Sequence, residues 1–310
     1  MEPGDKIFVS GHRGLVGSAL VRALTARGYT NIVTRTRGEL DLSDQQKVRQ
    51  FFSEVRPLYV FHAAAKVGGV YANNAYRADF IHENLVIQSN VIHQSFVCEV
   101  RKLIFFSCSS VFPRNCTQPM LEEHLLSGPL EPTNEPFAVA KIAGMKMCES
   151  YNRQYGADFL SVIPTNLYGR NQHYDPMNSL VVPAMIRKFQ EAKEAGAPNV
   201  VLWGSGRPSR DFLFSDDLAD AAIFIMNNYS GTETLNIGTG KDYTIREVAE
   251  IIRDAVGYRG GIVFDAAKPE GTLTKLQDVS KLTKLGWRYK VELADGIRVA
   301  VQDFLERGRE

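Results

Sequence analysis

The stretch Lys6–Gly17, KIFVSGHRGLVG, decides the fold of this chain of 310 residues. Its first five residues predict a β-strand, and Gly11, Gly14 and Gly17 follow before a helix predicted from about Leu15 to Arg27. Glycine at these positions lets the chain turn tightly, lets its backbone approach a pyrophosphate and lets the helix pack on the sheet. The free N–H groups at the helix start favour a bound phosphate. The stretch therefore predicts a dinucleotide-binding turn, with an unliganded glycine-rich turn as the alternative.

Short apolar runs alternate with helical patterns along the first half of the chain, which predicts an α/β fold with a parallel, doubly wound Rossmann sheet. The further predicted strands are Asn31–Thr34, Leu58–His62, Lys102–Ser107, Phe159–Ile163 and Val200–Trp203. The further predicted helices are Asp44–Val55 capped by Ser43, one within Asn74–Val100, Pro136–Tyr155 and Ala184–Ala195.

The alternation of strands and helices becomes less regular after the strand that ends at Ile163. A polar loop runs from Tyr168 to Pro183, a second loop covers residues 204–210, and helix, strand and two further helices are predicted after Thr244. We expect residues 1–167 and roughly 211–240 to form the Rossmann domain. Residues 168–210 and 241–310 are expected to form a smaller substrate-binding lobe that completes a cleft.

The composition is that of an ordinary globular protein, with 44% hydrophobic and 23% charged residues. A formal net charge of +1 gives no reason to expect nucleic acid or a membrane surface as a partner. The polar start of the chain predicts no signal peptide, and no apolar run has the length of a membrane span. The four cysteines lack CxxC spacing, which argues against a metal site or a disulfide framework and favours the reducing cytoplasm.

The end of the second strand helps to choose the cofactor. An NAD site usually places a carboxylate there, whereas an NADP site places an arginine that binds the 2′-phosphate. This sequence has Arg35 and Arg37 at that point, and Arg13 lies within the glycine-rich turn. Because guanidinium groups bind phosphate in a fork, NADP is favoured, and solvated surface arginines are the alternative.

Several stretches together resemble one family. They are GHRGLVGSAL (11–20), RTRGELDL (35–42), AAAKVGGVYANN (63–74), EPTNEPFAVAKIAGMKMCESYNRQYG (131–156), IPTNLYG (163–169), LWGSGRPSRDF (202–212) and KLGWRYKVELADGI (284–297). On these residues the chain resembles GDP-L-fucose synthase, an extended short-chain dehydrogenase/reductase that acts as a GDP-4-keto-6-deoxymannose 3,5-epimerase and 4-reductase. The resemblance covers essentially the whole chain, and AAAKVGG and EPTNEP are specific to this branch.

The resemblance implies a set of cofactor-binding residues. Those at the adenine and phosphate end are Gly11, Arg13, Gly14, Gly17, Arg37, Asp41 and Leu42. Those at the nicotinamide end are Ala64, Lys141, Pro164, Asn166 and Leu167, with Lys141 matching the family lysine that binds the nicotinamide ribose. The residues implied to bind the nucleotide end of a GDP-sugar substrate are Lys188, Trp203, Arg210, Glu270 and Lys275.

The positions that move protons in the family are changed here. Phe137 stands where the family has the tyrosine of its Tyr-x-x-x-Lys pair, and Cys108 stands where it has a hydroxyl residue that polarises the C4 carbonyl. Ser110 and Leu180 replace the cysteine and the histidine that serve as acid and base in epimerisation. Since a positioned acid or base contributes roughly 10²–10⁴-fold, loss of both predicts no epimerisation by the family mechanism. Cys108 is a candidate substitute donor beside Lys141, and a small buried apolar side chain is the alternative.

Three functions follow as hypotheses. The first is an NADP-dependent oxidoreductase acting at C4 of a GDP-linked deoxyhexose or heptose. The second is a catalytically impaired paralogue that binds cofactor and sugar nucleotide and partners an active enzyme. The third is ordinary GDP-L-fucose synthase activity supported by substitute groups. Resemblance also implies a homodimer formed through the two long helices of the first half of the chain.

Other polar residues receive more modest predictions. His62, at a strand end, is expected to pack or to bond locally. His173 and Tyr174 lie in the polar loop on the substrate side and are candidates for the site.

Overall fold

The computed structural model describes residues 1–175, 179–268 and 272–307. The strands are β1 Ile7–Ser10, β2 Ile32–Val33, β3 Tyr59–His62, β4 Lys102–Phe106, β5 Phe159–Pro164, β6 Asn166–Tyr168, β7 Asn199–Trp203, β8 Ser209–Phe214, β9 Leu235–Ile237, β10 Asp242–Thr244, β11 Gly261–Asp265 and β12 Thr274–Lys275. The helices are α1 Leu15–Ala26, α2 Gln45–Val55, α3 Val70–Ala75, α4 Arg77–Val97, α5 Glu135–Tyr155, α6 Val181–Glu194, α7 Ser215–Asn228, α8 Ile245–Val256, α9 Ser280–Lys284 and α10 Leu293–Arg307.

Six parallel strands form the central sheet in the order β2-β1-β3-β4-β5-β9. The sheet is covered on both faces, which is why β4 and β5 are buried along their whole length. Helices α1 and α7 pack on one face, and α2, α4 and α5 lie on the other. The predicted α/β Rossmann fold is therefore confirmed. Within the described ranges, no helix is long and apolar enough to cross a membrane.

The remaining strands form two smaller sheets beside the central one. Strand β8 pairs with β10, β12 and β6, and β7 pairs with β11. Helices α6, α8 and α10 share a third hydrophobic cluster with these strands. This cluster is distinct from the two clusters that pack on the central sheet. The domain boundaries given above stay a prediction.

Local details correct the sequence-based description. The cap of α2 is Asp44, whose carboxylate accepts hydrogen bonds from the backbone of Gln46 and Lys47, at 3.0 and 3.1 Å. Ser43, the predicted cap, instead donates its hydroxyl to Asp41 at 2.7 Å. The helix expected within residues 74–100 is α4, Arg77–Val97, and the short helix α3 that precedes it was not predicted. Strands β6, β8, β9, β10 and β12 and helix α7 were not predicted either.

Candidate active site

The glycine-rich turn between β1 and α1 is packed tightly against the end of β3. Gly11 has φ +71°, and a Cβ built on it would lie 2.9 Å from the Cα of Ala64. A Cβ on Gly17 would lie 2.2 Å from the carbonyl oxygen of Gly11. Neither position tolerates a side chain. Helix α1 begins after Gly14 without a side-chain cap, so its first N–H groups remain available to an anion.

A buried hydroxyl group links the ends of β1 and β3 beneath this turn. The Ser10 hydroxyl oxygen accepts a hydrogen bond from the backbone N–H of Ala64 at 3.1 Å and lies 2.8 Å from Nδ1 of His62. The Ser10 hydroxyl and the Nδ1 nitrogen share one hydrogen bond, and Nε2 of His62 is buried without a hydrogen-bonding partner among the described residues. Burial, and then the nearby Lys141 charge, lowers the pKa of His62 to about 3. The expected local bonding of His62 is confirmed.

The residues predicted to bind the 2′-phosphate end lie at the ends of β1 and β2. Arg37 is exposed, with Nε 3.7 Å from a carboxylate oxygen of Asp41 and Nη2 3.8 Å from one of Glu83. Arg13 is exposed and lies close enough to Glu39 to lower the pKa of that carboxyl, after the larger effect of its hydrogen bonds with Thr36. The two guanidinium groups are therefore free of buried partners and stand beside the same short segment.

Asp41 and Leu42, predicted at the adenine, continue that segment. Asp41 accepts hydrogen bonds from the backbone and the hydroxyl of Ser43, and these lower the pKa of the carboxyl. The carbonyl of Leu42 accepts from Asn90 at 2.9 Å, and its side chain packs against the core cluster beneath α2 and α4. Both residues are thus held in fixed positions by their neighbours.

Lys141 is buried on α5 at the carboxyl end of β4. Its Nζ donates a hydrogen bond to the carbonyl oxygen of Phe106 at 2.9 Å. The same nitrogen lies 4.8 Å from the ring centre of Phe105 and 5.8 Å from that of Phe137. Burial lowers the pKa of Lys141 to about 8. The ring of Phe137 reaches the neighbourhood of the ammonium group and carries no proton to give.

Cys108 and Ser110 follow β4 in a single turn of 3₁₀-helix, Ser109–Val111. Burial raises the pKa of the Cys108 thiol, and the nearby Lys141 charge offsets part of that rise. The backbone and the hydroxyl of Ser110 also act to lower the pKa of this thiol and offset a further part of the rise. Nδ2 of Asn134, which precedes α5, donates to the Ser110 hydroxyl oxygen at 3.1 Å. The structure therefore brings three of the four predicted catalytic positions together with Lys141.

Two cations from the smaller sheets lie side by side, and one of them, Lys275, acts electrostatically on the Cys108 thiol. Lys275 of β12 is in register with Arg210 of β8, so the two side chains are neighbours. Burial and then the Arg210 charge lower the pKa of Lys275. Arg210 donates to the carbonyl oxygen of Ser209 at 2.6 Å, and among the described residues neither cation has an ion-pair partner. Two like charges held side by side are suited to an anionic group such as a diphosphate.

Trp203 ends β7 with 64% of its side chain exposed. The ammonium groups of Lys188 and Lys268 lie 6.0 and 5.8 Å from its ring. An exposed indole flanked by cations suits an aromatic base that carries phosphates. Glu270, predicted at the same end of the substrate, lies outside the described residues.

The remaining predicted positions lie in β5 and β6 and in the segment between β6 and α6. Pro164, Asn166 and Leu167 lie at the carboxyl end of β5 and in β6, where Asn166 donates to the carbonyl oxygen of Asp211 at 2.9 Å. Leu180 precedes α6 and is exposed. Tyr174 is not a site residue, because it is buried in the third hydrophobic cluster and its hydroxyl donates to Ala300 at 3.1 Å. His173 is exposed.

Sequence reasoning missed Asn134 and Ser10. Asn134 lies in the EPTNEP stretch, which was singled out only for its family pattern. Ser10 is the last residue of β1, and a serine next to a glycine-rich turn is common enough to carry no signal. The unusual signal was His62, a histidine in a strand that is otherwise apolar, since a buried imidazole requires a hydrogen-bonding partner.

Taken together, the Rossmann sheet, the glycine-rich turn against Ala64 and the buried Lys141 define a nicotinamide-dinucleotide-dependent protein. Residues 7–238 match the NAD dependent epimerase/dehydratase family, and the chain belongs to that family, within its GDP-L-fucose synthase branch. Putative GDP-L-fucose synthase 2 of Arabidopsis thaliana is 53% identical over 306 residues, covering 99% of this chain and 93% of the relative. GDP-L-fucose synthase of Escherichia coli K12 is 51% identical and covers 97% of each chain.

Solved structures agree with this assignment. A GDP-6-OMe-4-keto-L-xylo-heptose reductase from Campylobacter jejuni superposes with a TM-score of 0.94 at 42% identity, covering 99% of each chain. GDP-mannoheptose C4 reductase from the same organism, solved with NADP bound, superposes at 0.90 with 44% identity, covering 98% of this chain and 99% of that one. The predicted family is therefore confirmed, and the chain is a member of a family of enzymes.

Proposed function

We propose that this protein is an NADPH-dependent reductase of the C4 keto group of a GDP-linked deoxyhexose or heptose, and that it does not epimerise C3 or C5. The observation that carries the proposal is the contrast within one site. The glycine-rich turn and Lys141 are in place, whereas Ser110 and Leu180 stand, by resemblance, at the positions of the family's epimerisation acid and base. Two similar solved structures are named as reductases of GDP-heptoses, one with NADP bound.

The residues present fit the cofactor. The turn holds the pyrophosphate at the start of α1, and Arg13 and Arg37 bind the 2′-phosphate. Asp41 and Leu42 hold the adenine, and Lys141 binds the nicotinamide ribose. The residues that contact the nicotinamide end are Ala64, Pro164, Asn166 and Leu167. NADPH, when bound, supplies the hydride that reduces the ketone.

The residues present also fit the nucleotide end of the substrate. Arg210 and Lys275 neutralise the diphosphate, which accounts for two adjacent half-buried cations that form no salt bridge among the described residues. Trp203 stacks on the guanine, and Lys188 lies beside it. Glu270, by resemblance, completes this end. These contacts hold the sugar at the carboxyl end of β4, because Cys108 and Lys275 interact there.

Epimerisation requires proton removal next to the ketone. A leucine has no titratable group, and an unassisted serine hydroxyl is too weak a base. The side chains of Ser110 and Leu180 therefore leave C3 and C5 untouched. Reduction at C4 depends on the cofactor and on geometry, and both survive these substitutions.

The test is to mix the protein with NADPH and GDP-4-keto-6-deoxymannose in deuterated water. We expect the nicotinamide absorbance to fall and the product to carry no deuterium at C3 or C5. The combined variant Ser110→Cys, Phe137→Tyr and Leu180→His is the matched control, since it restores the three family groups and should introduce deuterium. The proposal fails if neither this ketosugar nor a GDP-4-keto-heptose consumes NADPH, or if the unmodified protein labels C3 and C5.

A homodimer formed through α4 and α5 is part of the proposal. Both helices carry large apolar side chains on the surface, among them Val97 and Tyr155 near their ends. Exposed apolar side chains on two neighbouring helices support a partner surface. We also propose a cytoplasmic location, supported by four cysteines that are all free thiols. The alternative of an impaired regulatory paralogue has no support among the relatives' names.

A further inference from the structure

Glu83, in the second turn of α4, lies between a cation of the cofactor site and a cation outside it. Its Oε2 is 3.8 Å from Nη2 of Arg37, the arginine assigned above to the 2′-phosphate. Its Oε1 accepts a hydrogen bond from the ammonium group of Lys66. The side chains of Lys66 and Glu83 are 29% and 26% exposed, whereas that of Arg37 is 73% exposed. The carboxylate is therefore bound closely by the half-buried cation and loosely by the exposed one.

A carboxylate beside Arg37 opposes the binding of a phosphate at that arginine. It competes for the guanidinium group, and its charge repels a phosphate, whose own charge at neutral pH exceeds that of a carboxylate. One such carboxylate, Asp41, has an oxygen 3.7 Å from Nε of Arg37, and it is also held by two hydrogen bonds from Ser43. A second carboxylate without a counter-ion of its own would offset much of the attraction that Arg37 offers.

Lys66 supplies that counter-ion from a loop whose backbone is fixed separately. Its N–H donates to Oδ1 of Asn84 and its carbonyl oxygen accepts from Nδ2 of the same side chain, both at 3.0 Å. Asn84 is buried, and its Nδ2 also donates to the carbonyl oxygen of Phe80 at 2.7 Å. The Lys66 side chain is thus not needed to hold the loop. Its ammonium group instead faces two carboxylates of α4, those of Glu83 and, at 3.8 Å, Asp79.

This ion pair also lies at the edge of the dinucleotide site. Lys66 comes two residues after Ala64, and the Ala64 backbone is the surface against which Gly11 packs. An ordinary surface ion pair contributes little to stability and nothing to the choice of a ligand. The Lys66–Glu83 pair differs because its carboxylate also reaches Arg37.

We propose that Lys66 determines the preference for NADPH over NADH by holding and neutralising Glu83, which leaves Arg37 available to the 2′-phosphate. This rests on the NADPH-dependent function proposed above. When the phosphate binds, Arg37 pairs with it, and Glu83 keeps its hydrogen bond to Lys66. Without the ammonium group, Glu83 pairs with Arg37 and repels the phosphate. NADH has no 2′-phosphate, so its affinity does not depend on Lys66. Lys66 and Glu83 are positioning residues that act through Arg37.

The test titrates the protein with NADPH and with NADH, followed by fluorescence, and needs no sugar. Lys66→Met keeps the length of the side chain and removes its charge. It is expected to raise the dissociation constant of NADPH roughly 5-fold and to leave that of NADH within two-fold of normal. Lys66→Arg keeps the charge and should bind both cofactors as the unmodified protein does.

A second substitution separates the charge effect from a loss of structure. Glu83→Gln added to Lys66→Met should return the dissociation constant of NADPH to within two-fold of normal, because the carboxylate that needed neutralising is gone. Glu83→Gln alone should bind NADPH no more weakly than the unmodified protein. In a protein that already carries Arg37→Met, Lys66→Met should have no further effect on NADPH, since the lysine acts through that arginine.

Asp79→Asn is the matched control. Asp79 lies one turn before Glu83 on the same helix and pairs with the same lysine, but it forms no ion pair with Arg37 in the described part of the chain. Its loss should leave both dissociation constants unchanged.

Three results overturn the inference: an NADPH dissociation constant within two-fold of normal in Lys66→Met, an equal rise for NADPH and NADH, or no recovery on adding Glu83→Gln. Equal affinity of the unmodified protein for NADPH and NADH removes the premise and overturns it as well. Preferential binding of NADPH, with these responses but without turnover of any GDP-4-ketosugar, overturns the reductase proposal alone and supports this inference.

Discussion

His62 and Ser10 act at the scale of single residues. Ser10 joins two strand ends by accepting from Ala64 and by sharing a hydrogen bond with His62, and the Ala64 backbone is the surface against which Gly11 packs. The two side chains therefore hold the Ala64 backbone on which the glycine-rich turn packs.

We predict that Ser10→Ala raises the dissociation constant of NADPH by roughly 10-fold, because it leaves the buried Ala64 N–H without its acceptor. Fluorescence titration with NADPH measures this directly and needs no sugar. The combined Ser10→Ala, His62→Leu variant should bind as Ser10→Ala does, since both residues act through one hydroxyl. Ser53→Ala, which removes an exposed hydroxyl on α2, is the control. Normal NADPH affinity in a folded Ser10→Ala protein would contradict the prediction.

At the scale of elements, β8 organises the substrate side of the cleft. Its Arg210 forms the cation pair with Lys275. The next residue, Asp211, is buried and binds the loop that follows β9. Asp211 accepts hydrogen bonds from the backbone and hydroxyl of Thr239 and from the backbone of Gly240. Burial raises the pKa of Asp211 to about 6 despite these bonds.

The raised pKa of Asp211 determines how the free energy of unfolding changes with pH. The folded state prefers the protonated carboxyl, so this contribution to stability is fully present below about pH 4 and is lost as pH rises through about 6. Measured against Asp211→Asn, which does not titrate, the wild-type free energy of unfolding should gain about 1 kcal/mol between about pH 7.5 and about pH 5. Urea unfolding at each pH measures the difference. Asp254→Asn, an exposed carboxylate on α8, should show a smaller change, and an equal change would contradict the prediction.

The sequence predicted every strand of the central sheet except β9, because the predicted strands are apolar runs bounded by turn signals. It missed β8 because the run SRDFLF mixes polar and apolar residues, and its partners β10, β12 and β6 come from three distant segments. The pairing of Lys275 with Arg210 depends on a two-residue strand, which has no periodicity to detect. The resemblance supplied both cations as site residues. That Asn134 turns toward Ser110 depends on side-chain geometry, which no spacing encodes.

At the scale of the whole molecule, the proposed dimer surface is formed by the outward sides of α4 and α5. Val97 and Tyr155 are 52% and 54% exposed. We predict that Val97→Lys combined with Tyr155→Lys yields a monomer, because two charged side chains would be buried in the interface. Sedimentation measures the mass, and the circular dichroism spectrum reports the fold. Leu305→Lys on α10, where the leucine is 53% exposed, is the matched control and should leave the mass unchanged. An unchanged mass in the double variant would contradict the prediction.

The chain has two tryptophans, and their surroundings differ sharply. Trp287 is buried and donates its indole N–H to Asp220 at 2.8 Å, whereas Trp203 stands exposed between two ammonium groups. Light emitted by Trp203 should therefore be quenched readily by a small solute such as acrylamide, while emission from Trp287 is shielded. A guanine nucleotide stacked on Trp203 would alter the exposed signal alone. The molecule thus carries its own optical reporter of nucleotide occupancy, usable before any sugar has been identified.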